Sequence, residues 1–139
     1  MSAELHQALA VIQRQLKAPK KQQNNFGGYK FRSCEDILEA VKPLLGNCTL
    51  TISDSIKQIG ERVYVEAICT LSGFDESIHV KAYAREAADK KGMDVAQITG
   101  AASSYARKYA LNGMFLIDDT KDADSAAPAT PSRSAPPML

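Results

Sequence analysis

The stretch CTLTISDSIKQIGERVYVEAICTLSGFDESIHVKAYAR, residues 48–85, decides the fold. Cys48, Leu50 and Ile52 alternate with Thr49, Thr51 and Ser53. Beyond a turn around Gly60, Val63, Val65, Ala67, Cys69 and Leu71 share one face, opposite Tyr64, Glu66, Ile68 and Thr70. After Gly73 the pattern repeats: Ile78, Val80, Ala82 and Ala84 alternate with His79, Lys81, Tyr83 and Arg85. Successive side chains of a strand point to opposite faces. Period-two alternation with short glycine-bearing turns therefore predicts a three-stranded antiparallel meander with one face on a core.

Helices flank the meander. Downstream, Asp94 reads as an N-cap with Gln97 completing a capping box, and Met93 with Ile98 as a hydrophobic staple. Val95, Ile98, Ala102, Tyr105 and Tyr109 recur at helical spacing and are the expected buried stripe. Gly100, Ala101, Ser103 and Ser104 keep this helix thin enough for close packing, and Asn112-Gly113 is expected to end it. Upstream, Ser33 and Asp36 form a second capping box ahead of Ile37, Leu38, Val41, Leu44 and Leu45. Pro43 should loosen the last turn and Gly46 close it. Leu5, Leu9, Ile12 and Leu16 make a first amphipathic helix ending before Pro19, whose apolar face, with Leu9 and Ile12, either covers the sheet or docks on a neighbouring subunit. The class is α+β: a three-stranded antiparallel meander packed with a long C-terminal helix, preceded by N-terminal helices.

The chain has 139 residues, with 17 Lys+Arg against 16 Asp+Glu and 45% hydrophobic residues, the balance of a globular protein. From Thr120 onward it is mainly Ala, Pro, Ser, Thr and Asp, with little to bury. One domain over residues 1–118 followed by a disordered tail over 119–139 is expected. No apolar run approaches the roughly 18 residues of a membrane span, and no hydrophobic signal region opens the chain. Cys34, Cys48 and Cys69 lack metal-ligand spacing and His6 and His79 lie far apart, so neither a metal site nor a cofactor is expected, and a reducing cytoplasm is the simplest setting.

Enzymatic chemistry finds little support. No glycine loop ends in Gly-Lys-Ser/Thr, and Gly27-Gly28 lacks the strand and helix of a dinucleotide site. Nothing singles out His79 as a base for a serine nucleophile. Asp118, Asp119, Asp122 and Asp124 sit at the mouth of the tail, where nothing would hold metal ligands at fixed distances.

A formal charge of +1 excludes recruitment of nucleic acid by bulk charge but not by a local groove. Residues 14–32 carry Arg14, Lys17, Lys20, Lys21, Lys30 and Arg32 and no acid, and Tyr29 and Phe31 alternate with Lys30 and Arg32. That suits a flexible segment offering phosphate contacts and stacking rings, and equally a solvated loop anchored by Phe26 or Phe31. His79, Lys81, Tyr83 and Arg85 line the non-core strand face, either as ordinary surface or as the wall of a strand-binding channel. Lys90 and Lys91 before a helix N-terminus could meet phosphate, or form a mobile charged hairpin. Arg107 and Lys108 suit the C-terminal half of a helix with or without a ligand.

The run from Tyr29 through Arg32, Ser33, Cys34, Glu35 and Asp36 to Leu45 resembles the N-terminal signature of the essential recombination function (ERF) family of phage single-strand annealing proteins. The run from Lys91 through Gly100, Ser104, Tyr105, Arg107, Lys108 and Tyr109 to Phe115 is similar to its second signature, and Asp118 to Asp124 matches the ending that follows. The resemblance spans about residues 5–124. It implies ATP-independent annealing of complementary strands in phage homologous recombination, by a protein without bond chemistry, in the cytoplasm of a bacterial host. It implies a β-β-β-α core related to eukaryotic annealing proteins, and a homo-oligomeric ring or helical filament holding single-stranded DNA and its complement in a basic groove. Tyr29, Lys30, Phe31 and Arg32 become DNA-binding candidates, joined by Lys81, Arg85, Lys90, Lys91, Arg107 and Lys108. Ser104, Tyr105 and Tyr109 become candidates for the groove or for the fold that shapes it, the two tyrosines as core packing or as a subunit or DNA surface, and with Leu9 and Ile12 they are candidates for shaping the core or the oligomer. Family members can carry a longer C-terminal region, through which a host single-strand-binding protein would be a partner. The alternatives from other classes are a passive single-strand-binding protein, a structural or adaptor protein, and a small nuclease that would cut DNA with Mg²⁺.

Overall fold

The computed structural model describes residues 3–20, 22–24, 29–87 and 94–117, with backbone alone at 22–24 and 29–31. The chain runs α1 (Glu4–Gln15), β1 (Gln22–Asn24), β2 (Tyr29–Phe31), α2 (Cys34–Val41), β3 (Thr49–Ile59), β4 (Arg62–Gly73), β5 (Glu76–Arg85) and α3 (Val95–Phe115), with a 3-10 turn at Lys42–Leu44. Strands β3, β4 and β5 form the expected antiparallel meander in that order. Leu50, Leu71 and Ile78 lie side by side across it, as do Ile52, Cys69 and Val80. This register puts the alternating apolar set on one face, with Ile59 and Ile68 on the other.

The two hairpin turns are built differently. Gly60 takes the left-handed conformation at φ 63°, as a tight turn requires. At the second turn Phe74 and Asp75 take it instead, at φ 54° and 62°. Gly73 just before them serves space, since a Cβ there would stand 3.0 Å from the Cys48 sulfur.

Both capping boxes form: Asp36 N–H donates to Ser33 Oγ and Gln97 N–H to Asp94 Oδ1, each with its reciprocal bond. Met93 lies outside the described residues. Pro43 falls in the 3-10 turn, and Gly46 follows at φ 59°. Leu5 and Ile12 of α1 and Ile37 and Val41 of α2 join the core, with Leu9 partly buried against it.

Helix α3 departs from expectation in rotation and length. Its buried stripe is Ala102, Ala106, Ala110 and Met114, while Tyr105 is 49% and Val95 79% exposed. The two stripes share Ala102 and both fall at helical spacing, but steric bulk decides between them. Alanines four apart bring the helix backbone down on β4 and β5, where tyrosines would hold it off. The helix also continues past Asn112-Gly113, because Met114 and Phe115 are buried at 1% exposure, and it ends on Leu116 in the left-handed conformation. A Cβ on Gly113 would lie 3.1 Å from Val80 Cγ1, so this glycine serves close approach rather than termination. Gly100, assigned by sequence to thinning the contact, faces open space.

Residues 20–32, expected as a loop, include an antiparallel pair, β1 with β2, in which Gln23 lies opposite Lys30. Three-residue strands are too short for alternation to register. No helix among the described residues is long and apolar enough to cross a membrane.

Two substitutions in α3 should move stability in opposite directions. Ala106→Leu overpacks the contact with the sheet and should cost about 1–3 kcal/mol. Gly100→Ala removes a flexible residue from an open helix position and should gain about 0.5–1 kcal/mol. Thermal melts at fixed protein concentration check both, at about 4 °C per kcal/mol for a domain of this size.

Candidate nucleic-acid interface

The sheet separates two groups of cations and rings that the sequence left in one list. Because α3 packs on the core face, Lys57, Arg62, Lys81 and Arg85 project from the other face, with Glu66 the single acid on that face of the three strands. Glu66 is 4% exposed and sits in a row with Ser55 and Tyr83. It accepts from Tyr83 Oη at 2.5 Å and Ser55 Oγ at 2.9 Å, with Lys57 Nζ at 4.0 Å. The bond from Tyr83, then that from Ser55, holds the Glu66 carboxyl below the usual carboxylate range, and partial desolvation opposes them. The same bond pushes the Tyr83 hydroxyl up. His79 Nδ1 shares a hydrogen bond with Thr70 Oγ1 at 2.9 Å. Lys81 lies opposite Ile68 and Arg85 opposite Tyr64, which gives this face cations beside apolar and aromatic surface.

The second group lies on the helical side. Arg32, directly after β2, donates from Nε to the carbonyl of Ala18 at 2.7 Å, which ties the segment before α2 to the end of α1. Its side chain forms part of the wall between two hollows. One, of about 270 Å³, is lined by Arg32, Ser33, Cys34, Glu35, Ala101, Ser104, Tyr105 and Lys108. The other, of about 410 Å³, lies toward Lys17, Pro19, Phe115 and Leu116. Tyr105 and Tyr109 stack with ring centroids 6.2 Å apart and planes 24° from parallel. Lys108 is 7% exposed, with its stem packed into the layer.

Arg107, next to Lys108 in sequence, points elsewhere. Its Nε and Nη2 reach the two carboxylate oxygens of Asp54 at 3.1 and 3.2 Å, and Ser103 Oγ donates to the same carboxylate at 2.6 Å. Asp54 sits on the core face of β3, so this cluster ties α3 to the edge strand.

The structure thus brings Arg32, Ser104, Tyr105 and Lys108 together and leaves Lys81 and Arg85 across the sheet from them. Tyr29, Lys30 and Phe31 are placed by backbone on β2, and their side chains lie outside the described residues, as do Lys90, Lys91 and the acidic group from Asp118 to Asp124. Sequence reasoning missed the cleft because it favoured core packing over an exposed surface for Tyr105. The spacing of Ala102, Ala106 and Ala110 was the available signal. The thiols are buried structural groups: burial raises Cys34, and burial with Cys34 beside it pushes Cys69 up to about 12, far from the thiolate that reactivity needs.

A β-β-β-α core with cation-bearing surfaces on both sides of its sheet is the frame in which the comparisons fall. The ERF superfamily model matches residues 5–139, and the chain belongs to that superfamily. It is 56% identical over 144 residues to the essential recombination function protein of Salmonella phage P22, an alignment covering 98% of this chain and 70% of that protein. No solved structure matches the chain significantly.

The Glu66 network should make stability depend on pH in a definite direction. A lowered folded-state pKa means that Glu66 contributes fully above its ordinary value near 4.5 and loses that contribution as pH falls through the lower folded value. Glu66→Gln should therefore flatten the acid limb of a stability-against-pH profile. A raised Tyr83 works at the other end, losing its contribution as pH rises through the folded value, and Tyr83→Phe should remove that alkaline slope. Denaturant midpoints across pH check both. At neutral pH, Asp54→Ala should cost roughly 1 kcal/mol, and less in high salt, because the pair it breaks is partly exposed.

Proposed function

We propose that this chain anneals complementary single strands of DNA in phage homologous recombination, without ATP or bond chemistry, as an oligomeric ring or helical filament in the cytoplasm of a bacterial host. The observation that carries this reading is membership of the ERF superfamily across residues 5–139, with 56% identity to a protein named for an essential recombination function. The physics of the surfaces supports it. Arg32 and Lys108 on one side, and Lys81 and Arg85 on the other, suit contacts to phosphate, which position a strand without reading its sequence. A strand held by its phosphates leaves base edges outward for a second strand to test; correct pairing then adds stacking energy.

Oligomerisation answers the charge problem. One subunit with a formal charge of +1 binds a polyanion weakly, whereas a repeated patch makes weak contacts act together. Exposed Ile56, Ile59, Val95 and Leu116 supply apolar surface for subunit contacts. The edges of β3 and β5 have no further strand partner among the described residues.

An annealing assay with labelled complementary oligonucleotides, in EDTA and without nucleotide, tests the proposal. Annealing faster than the spontaneous rate, absent with a non-complementary strand, is expected. Binding without acceleration would make the chain a passive single-strand-binding protein, and absence of salt-sensitive binding would make it an adaptor. Light scattering should report a multi-subunit particle; a 15.1 kDa monomer with and without DNA would contradict the assembly.

A further inference from the structure

The cleft between the start of α2 and the middle of α3 combines three features. It has an exposed ring of fixed plane, because Tyr105 is half exposed and backed by Tyr109. It has two cations in its wall: Arg32, anchored through Nε to the Ala18 carbonyl, and Lys108, which lines the hollow while 7% exposed as a residue. Its volume, about 270 Å³, lies just under the range of roughly 300–1,000 Å³ found for small-molecule pockets. That is a hollow on the scale of a single base or nucleoside, open on one side so that the rest of a strand can pass outside it.

We infer that this cleft is a single-nucleotide subsite, in which one base of the bound strand stacks on Tyr105 while its phosphate lies against Arg32 and Lys108. The inference rests on the single-strand reading above and adds the residue that takes the base. An aromatic ring accepts any base, since every base has a π-face, so such a subsite suits a protein that must not discriminate sequence. The hydroxyls of Ser33 and Ser104 add polar groups to an otherwise mostly apolar wall. Glu35, the one acid there, opposes crowding of several phosphates and so disfavours a nucleoside triphosphate as occupant. Of the core, subunit and DNA-surface roles open to Tyr105, the subsite takes the DNA contact, while Tyr109 supports it from behind.

The test uses the full chain and a fluorescent oligo-dT strand. Tyr105→Ala should weaken binding by about 5- to 150-fold for each base that stacks, with the dependence of log affinity on log salt unchanged. Tyr105→Phe should retain wild-type affinity, because the ring and not the hydroxyl makes the contact. Arg32→Ala with Lys108→Ala should instead flatten the salt dependence, by about 0.7 per lost phosphate contact. Circular dichroism and particle size are read on each variant. A measurement needing no variant stands beside these: photocrosslinking of wild-type protein to an oligo-dT strand carrying 5-iododeoxyuridine should label the peptide that contains Tyr105. A folded, correctly assembled Tyr105→Ala with wild-type affinity, or crosslinks confined to β3–β5, would overturn the subsite and leave the annealing reading standing. Failure of the wild-type chain to bind the strand at low salt would overturn both.

Discussion

The contact between the alanine stripe of α3 and the sheet sets the rest of the structure. Ala102, Ala106 and Ala110 carry only a methyl group each, so the helix backbone comes close to β4 and β5 along most of its length. Gly113 extends the contact to Val80, and Met114 and Phe115 then fill the space where the helix passes toward α1. Dense packing of this kind tolerates neither larger side chains nor a rotation of the helix. Once the alanines face the sheet, Tyr105, Lys108 and Tyr109 must turn toward α2, and Ser103 and Arg107 toward the edge at Asp54. The cleft follows from the packing. It is the space left where an eight-residue helix meets a helix whose bulky residues were pushed to that side.

That partition has a functional consequence. A chain with nearly balanced charge can still present basic surfaces if its acids are engaged inside or at the borders of those surfaces. Glu66 is hydrogen-bonded within the open sheet face, Asp54 is paired to Arg107, and Asp36 is used in capping α2. These bonds fix where the carboxylates sit without removing their charge, and Arg107 offsets that of Asp54. Phosphate binding through many such small patches is weak per subunit and strong along a lattice. This is the physical reason to join DNA binding and assembly in one proposal.

Much of the fold was legible in the sequence, for reasons that can be named. Alternation from Cys48 to Arg85 is long and uninterrupted, so strand identity and core face both follow from it. The capping boxes at Ser33 and Asp94 mark helix starts through side-chain chemistry that is local in sequence. The rotation of α3 was not legible in the same way. Two stripes at helical spacing run along it, and choosing between them needs the distance to the sheet, which is a tertiary quantity. The end of the helix was misread for a related reason: Asn112-Gly113 is a sound termination signal locally, overridden by burial of Met114 and Phe115. At the candidate site, the cation-rich residues were visible as composition. Their division between two sides of the sheet, and the removal of Arg107 to Asp54, depend on register and on a partner 53 residues away.

On the proposed reading a single strand engages the helical side, where Arg32, Tyr105 and Lys108 meet. Amide hydrogen exchange of the assembled protein, with and without oligo-dT, tests it most directly because it reads every segment at once. Slower exchange is expected at the start of α2 and along α3 from Ala101 to Lys108 when DNA is bound. Protection confined to β3, β4 and β5, with none at α2 or α3, would contradict it and place the strand on the open face of the sheet.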